Sequence, residues 1–423
     1  MRILFLSHYY SPEVNAPASR TSEHCREWAR AGHEVTVLTC APNHPAGKLY
    51  DGYRNRLFQR ETIDGVEVIR VWTFIAANEG FFLRTLNYLS YMIAATFALP
   101  WLKRPDVVVS TSPQFFCGLT GLIAKVLRGV PWVLEIRDIW PESIVTVGAM
   151  RNGPAIRFLE WLERSAYRRA DRIIAVTDSF VEHIAKRCGD AAKIDVIKNG
   201  VDLALFQRVA APDEAKHALG LEGKLVAAYV GTHGLAHGLD IILEAARLTA
   251  LETGIVYVTV GDGAERARLA ARAAEMGLEN VRILGQLPKK DMPAVWSATD
   301  VSLILLRRDE LFKKVLPSKM FEAMGMSCPI VLGVEGEARE LLQSASAGVA
   351  ITPESAAELA AAVRRLAANP ALARSFGVRG SKFVREHFDR AKLAKRYAEV
   401  LGEVVATRPA RTTANVDVER ALQ

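Results

Sequence analysis

The sequence predicts an α/β protein made of two doubly wound, parallel-sheet domains that face each other across a cleft. Three observations predict it: the length, a series of short β-branched runs separated by helical stretches, and a restart of that rhythm halfway along the chain. At 423 residues the chain exceeds what one hydrophobic core usually spans, about 250 to 300 residues, so two units of roughly 200 are expected. Its 50% hydrophobic and 24% charged residues suit sheets buried on both faces.

Ile3–Ser7, a helix ending near Ala31-Gly32, and Glu34–Thr39 give the strand, helix, strand order of a parallel unit. Asp106–Ser110, Trp132–Ile136, Arg172–Val176 and Asp195–Ile197 continue it, and their lack of polar alternation means burial on both faces. After Asn199-Gly200-Val201-Asp202 the pattern restarts with Leu225–Val230, Ile255–Val260, Val281–Leu284, Val301–Leu306 and Ile330–Val334. The expected organisation is a first domain at 1–205, a second at 206–388, a helix at 389–406 packing back on the first domain, and an aperiodic tail at 407–423 expected to be mobile. Open α/β sheets bind ligands beyond the carboxyl ends of their strands, so the site is sought there, in the cleft.

The net charge of +7 favours anionic partners such as a nucleotide, a phosphate or an acidic lipid surface, although many soluble proteins carry as much. Cys25, Cys40, Cys117, Cys188 and Cys328 show no CxxC and no metal-ligand spacing. They predict neither a disulfide framework nor a zinc site, and a reducing cytoplasm is expected. The start, MRILFLSHYYSPE, lacks a small-residue cleavage site and reads as a buried first strand. Phe81–Leu102 is rich in aromatic and aliphatic residues, is interrupted by Arg84, Asn87 and Pro100, and is followed by Lys103 and Arg104. It is too short and broken for a membrane span. Two readings stay open: a helix covering the first sheet, or an amphipathic helix lying in an anionic bilayer interface.

Among local motifs, Leu316-Pro317-Ser318-Lys319-Met320-Phe321-Glu322 sets Pro and Ser at a helix start and places Lys319 and Glu322 three apart on one face. Helix amides and a cation can meet an anion there, and a carboxylate one turn on can accept both hydroxyls of a ribose. A surface lysine–glutamate pair has the same spacing. Gly231-Thr232-His233-Gly234 follows a buried strand, so its glycines allow backbone amides close to a diphosphate, or simply form a tight turn. Asp138, beside Arg137 and before Trp140-Pro141, sits just past a strand end, where it can act on a ligand or anchor a loop. Gly261-Asp262-Gly263 is too common a pattern to mean more than a turn.

Taken in order, Thr111-Ser112-Pro113, Glu135-Ile136-Arg137-Asp138-Ile139-Trp140-Pro141-Glu142, Ala170-Asp171, Asn199-Gly200-Val201-Asp202, Gly231-Thr232-His233-Gly234, Gly261-Asp262-Gly263, Gly285 and the Pro-Ser-Lys helix resemble the retaining GT-B glycosyltransferases of family 4. The likeness is strongest to the branch that makes surface and capsular polysaccharides, and it runs over nearly the whole chain. It implies that the second domain binds a nucleotide diphosphate sugar, UDP before GDP, and that the first supplies acceptor contacts. Transfer would go to a hydroxyl of a lipid-linked acceptor, with retention and without a metal or other cofactor. No nucleic-acid partner is implied, and the place of work is the cytoplasm or the inner face of the cell membrane.

The resemblance assigns Gly231, Thr232, His233, Gln286, Leu287, Pro317, Ser318, Lys319 and Glu322 to the donor, with Gln286-Leu287 following Gly285 where related enzymes hold the base by main chain. Ala16 lies where the family runs a glycine-rich loop beneath the diphosphate, Glu13 and Arg137 fall on the acceptor side, and Asp138 and Lys319 are the catalytic candidates. Two departures stand out. The loop after the first strand of the second domain carries His233 and His237 in place of the family's arginine and lysine, so charge neutralisation is expected from helix dipoles and Lys319. Lys314 stands where the first glutamate of a paired motif would be, with Glu322 as the second. Two rivals use the same fold: a sugar-nucleotide epimerase, and a non-catalytic sugar-nucleotide-binding subunit prompted by Lys314.

Overall fold

In the computed structural model, residues 1–44, 47–76, 81–112, 115–146, 153–207 and 209–407 are described. Pro113 and the tail from residue 408 onward lie outside them. The first half supplies β1 (Arg2–Leu6), β2 (Glu34–Cys40), β3 (Phe58–Ile63), β4 (Val66–Val71), β5 (Val107–Thr111), β6 (Trp132–Ile136), β7 (Arg172–Ala175) and β8 (Ile194–Val196). The second half supplies β9 (Leu225–Val230), β10 (Ile255–Val260), β11 (Val281–Leu284), β12 (Val301–Leu305), β13 (Ile330–Gly333) and β14 (Gly348–Ala350).

The first sheet runs β3-β4-β2-β1-β5-β6-β7-β8, parallel except for β3, and the second runs β11-β10-β9-β12-β13-β14. β1 and β9 are the strands whose two neighbours lead the chain in opposite directions, so the loops after them open the crevice of each sheet. Central strands such as β5, β6, β10 and β12 are buried throughout, as their apolar runs require. Sequence patterning did not anticipate β3, β4 and β14. The β3–β4 pair is an antiparallel hairpin turned at Asp64-Gly65, both with positive φ.

One layer of helices over the first sheet is Phe81–Ala98, Phe115–Arg128, Pro154–Arg169 and Ser179–Cys188, sharing a core with Tyr91, Trp132, Tyr167 and Phe180. On the other face lie Ala16–Arg30 and the terminal helix Arg390–Ala406, joined by Trp28 Nε1 donating to Ala394 O at 2.8 Å and by Arg390 on Glu23 at 2.6 Å. The chain crosses between the domains twice in register, where Val201 N donates to Phe388 O and Arg390 N to Val201 O, both at 3.0 Å. At Gly200 a Cβ would overlap Phe388 O, so the Asn199-Gly200-Val201-Asp202 landmark serves this crossing. Arg20 secures it from below: its guanidinium donates to Ile197 O and Lys198 O, both at 2.9 Å, and pairs with Glu135 at 3.0 Å.

Candidate active site

Two loops of the second domain are pressed together without room for a Cβ. After β9, Gly231 takes φ +145, and after β10, Gly261 and Gly263 take φ +146 and +153. A Cβ on Gly261 would overlap Gly231 O, and one on Gly263 would meet His233 O at 2.5 Å. His233 N donates to Asp262 O, and Glu265 N to His233 O, both at 2.9 Å. The Gly261-Asp262-Gly263 turn therefore fixes the His233 loop.

Lys319 begins the helix Lys319–Gly325, and its Nζ donates to Tyr229 Oη at 2.7 Å while lying 3.9 Å from the centre of the same ring. Tyr229 Oη donates in turn to Thr232 O at 2.8 Å, so one hydroxyl ties the lysine to the glycine loop. A Cβ at Gly231 would stand 2.9 Å from Lys319 Nζ, which places the ammonium directly against that turn. Lys319 is half-buried, and loss of solvent around its head pushes its pKa down to about 7 against the pull of Glu322. His233, 0% exposed, is pushed down to about 4 and His237 to about 3, each by burial first and then by Lys319. Both imidazoles are neutral near pH 7, and both His233 ring nitrogens lack a hydrogen-bond partner within the chain.

Sequence reasoning missed Tyr229, which reads as one more buried strand residue, and it missed Arg266. The arginine opens the helix Arg266–Glu275, and a Cβ on Gly285 would lie 3.3 Å from its guanidinium. It also acts on His233 electrostatically. Arg266 thus adds a second cation beside this loop, next to Lys319. Gln286 and Leu287 leave β11 beside it, anchored where Gly261 N donates to Gly285 O at 3.3 Å, with Leu287 packed on the second core. Pro317 and Ser318 precede Lys319, and the Ser318 side chain makes no capping hydrogen bond. Lys314 lies within electrostatic reach of Glu182 on the first domain, so the residue replacing the family's glutamate faces an acidic neighbour across the domains.

In the first domain the expected residues divide differently. Arg137 donates to Pro17 O at 3.1 Å and to Ala16 O at 3.0 Å, which binds the turn after β6 to the loop after β1 and occupies both residues in holding that shape. Glu13 is buried and accepts from the backbone of Asn43 and His44, both at 2.9 Å. Burial pushes its pKa up to about 7 despite those amides. Its carboxylate holds the loop after β2. Asp138 accepts from Ser143 Oγ at 3.0 Å, and burial raises its pKa against that bond. It borders a small apolar cavity with Phe115, Ile136, Trp140 and Tyr167. The domains meet where Glu337 accepts from Asp178 N at 3.1 Å and Ser179 N at 2.9 Å, capping a first-domain helix, and where Leu311 enters the first-domain core.

Comparison with known proteins matches residues 15–200 to a glycosyl transferase 4-like domain and residues 212–383 to glycosyl transferases group 1. The putative colanic acid biosynthesis glycosyl transferase WcaI of Escherichia coli K12 is 26% identical over 86% of this chain and 92% of its own length. The 2-deoxystreptamine glucosyltransferase of Streptomyces kanamyceticus is 30% identical over 63% of this chain and 68% of its own. In three dimensions, Anabaena HepE in complex with UDP and glucose superposes over 95% of this chain and 99% of that chain, with a TM-score of 0.70 and 19% identity.

Proposed function

From its membership of the GT-B glycosyltransferases of family 4, to which this chain belongs, we propose that it transfers a sugar from a UDP-sugar to a hydroxyl of a lipid-linked acceptor, with retention, in the assembly of a surface polysaccharide. The observation that carries this reading is the joined unit of Gly231-Thr232-His233, Tyr229 and Lys319, backed by Arg266. HepE, which holds UDP, shares the fold, and WcaI bears a name from colanic acid biosynthesis.

In this reading the glycine loop and Lys319 hold the diphosphate, Glu322 the ribose, and the chain at Gln286-Leu287 the base. As the glycosidic bond lengthens, charge grows on the departing phosphate, and a cation already in place lowers that barrier without reorganisation. The leaving oxygen takes the acceptor's proton, Asp138 orients the acceptor, and no metal or other cofactor is used. Work at the inner face of the membrane follows from the lipid acceptor. In this reading contact with the membrane is peripheral, and no helix among the described residues is long and apolar enough to cross a bilayer.

The test uses UDP-glucose labelled in the sugar, incubated with the protein and a bacterial lipid extract. Label is expected to pass to the organic phase with release of UDP. Label that stays on nucleotide as an epimerised sugar, with or without lipid, would make the protein an epimerase, and bound nucleotide with no turnover on lipid would make it a binding subunit.

A further inference from the structure

The carboxyl edge of the first sheet carries a second polar cluster that the donor site does not use. The helix Phe81–Ala98 begins at that edge, since the chain reaches it from the end of β4. Arg84, in its first turn, is exposed, and its Nη2 donates to Tyr88 Oη at 3.4 Å. Tyr88 Oη lies 3.3 Å from Tyr9 Oη, in the loop after β1, and the Tyr9 ring meets His44 edge-on at 5.2 Å, in the loop after β2. Three separate elements thus bring one guanidinium, two phenols and an imidazole together. Burial and the charge of Arg84 push His44 down to about 4, so it stands neutral with one N–H to donate.

Among the described residues no carboxylate pairs with Arg84. Glu13 accepts at Oε1 from the amides of Asn43 and His44, which holds His44 in place. The helix is fixed as well: Asn87 Nδ2 donates to Phe74 O at 2.6 Å, and Tyr91 Oη to Leu38 O at 2.7 Å. A guanidinium with no carboxylate partner among the described residues, set beside tyrosine hydroxyls, is the chemistry that recognises phosphate oxygens.

Apolar surface begins beside it. Phe82 is 77% exposed, Leu83 and Leu86 are also exposed, and farther along Phe97 and Trp101 each reach 69%. Exposed Arg157 and Arg164 flank Phe158 and Trp161, which stack at 5.9 Å on the outer side of the same helix layer. The surface is therefore apolar with cations and suits an amphiphile with an anionic head.

We infer that Arg84, Tyr88, Tyr9 and His44 form a binding site for the phosphate of an amphiphilic acceptor, whose apolar chain runs out along the exposed face of Phe81–Ala98. This rests on the proposed transfer to a lipid-linked acceptor and names the group by which that acceptor is held. The cluster stands at the same edge of the sheet as Asp138, so a sugar attached beyond the phosphate extends toward the cleft.

Farnesyl diphosphate is the probe, titrated by calorimetry into the full chain already saturated with UDP so that the donor site is occupied. Wild type is expected to bind it, and Arg84→Ala to weaken binding by about tenfold or more, the usual effect of losing a charged hydrogen bond. Tyr88→Phe should cost less, and neither variant should change UDP affinity. Inorganic pyrophosphate should bind more weakly than farnesyl diphosphate, and farnesol should not bind measurably. Equal affinity in wild type and Arg84→Ala overturns the site, as does farnesol binding as well as its diphosphate. Pyrophosphate binding as tightly as farnesyl diphosphate would give the site to free phosphate and remove the amphiphile. Failure of the initial UDP titration would strike the donor reading and leave the Arg84 result to stand by itself.

Discussion

Lys319→Ala is expected to lower kcat by about 10²-fold while leaving the fold intact, because its ammonium is held where the departing phosphate gains charge. Its neighbours carry less charge: Tyr229 Oη is committed to Thr232 O, and His233 and His237 are neutral near pH 7. The pH profile separates this role from a surface lysine. With the free-enzyme pKa of Lys319 at about 7, kcat/KM should fall as pH rises through that value. Tyr229→Phe keeps the ring but loses the hydroxyl that accepts from Nζ, so the alkaline fall should begin at lower pH. Stability carries the opposite sign. Between about 7 and the ordinary lysine value of 10.5 the unfolded chain holds a proton that the folded chain has released, so the unliganded protein gains stability as pH rises across that window. Lys319→Ala should flatten that slope, and a loss of turnover under about threefold would contradict the assignment.

The second large effect is on stability. Arg20 and Glu135 have side chains 1% exposed each, and Arg20 alone ties β6 to the backbone at Ile197 and Lys198, where the chain leaves the first domain. Burial acts to raise the Glu135 pKa, yet Arg20 brings it below the ordinary carboxylate range. Arg20→Ala would strand a buried carboxylate and the acceptors Ile197 O, Lys198 O and Asn199 Oδ1, at a cost of about 3 to 5 kcal/mol. Urea unfolding followed by tryptophan fluorescence should show it in the transition of the first domain. The double variant Arg20→Leu with Glu135→Leu should recover part of the loss, because the carboxylate that the single variant strands is removed as well. A single variant within about 0.5 kcal/mol of wild type would mean that the pair is solvated in solution.

Most strands of both domains could be located in the sequence because parallel strands buried on both faces leave uninterrupted apolar runs, as in Val107–Thr111 and Ile255–Val260. The hairpin of β3 and β4 was missed although Asp64-Gly65 marks its turn, because β3 is an edge strand of exposed and half-buried residues whose apolar content is low. Lys319 and the glycines of 231, 261 and 263 could be found because their tasks constrain residue type: a charge at a helix start, and backbone with no room for Cβ. Tyr229, Arg266 and Arg84 could not, since their importance lies in which distant loops they meet. Glu13 and Arg137 show the converse. Their position in the chain suggests the acceptor side, and only the structure shows that Glu13 also holds the loop after β2 and that Arg137 also donates to Ala16 and Pro17.

The central claim is that the loop after β9 and the helix from Lys319 to Gly325 hold a nucleoside diphosphate, with Glu322 on the ribose. Calorimetric titration of UDP into wild type and into Glu322→Ala tests it most directly. Loss of a carboxylate that accepts two hydroxyls should weaken UDP by about tenfold to several hundredfold with no change in thermal stability of the unliganded protein beyond a few degrees. Equal UDP affinity in the two proteins, or no UDP binding by wild type at millimolar concentration, would contradict the account.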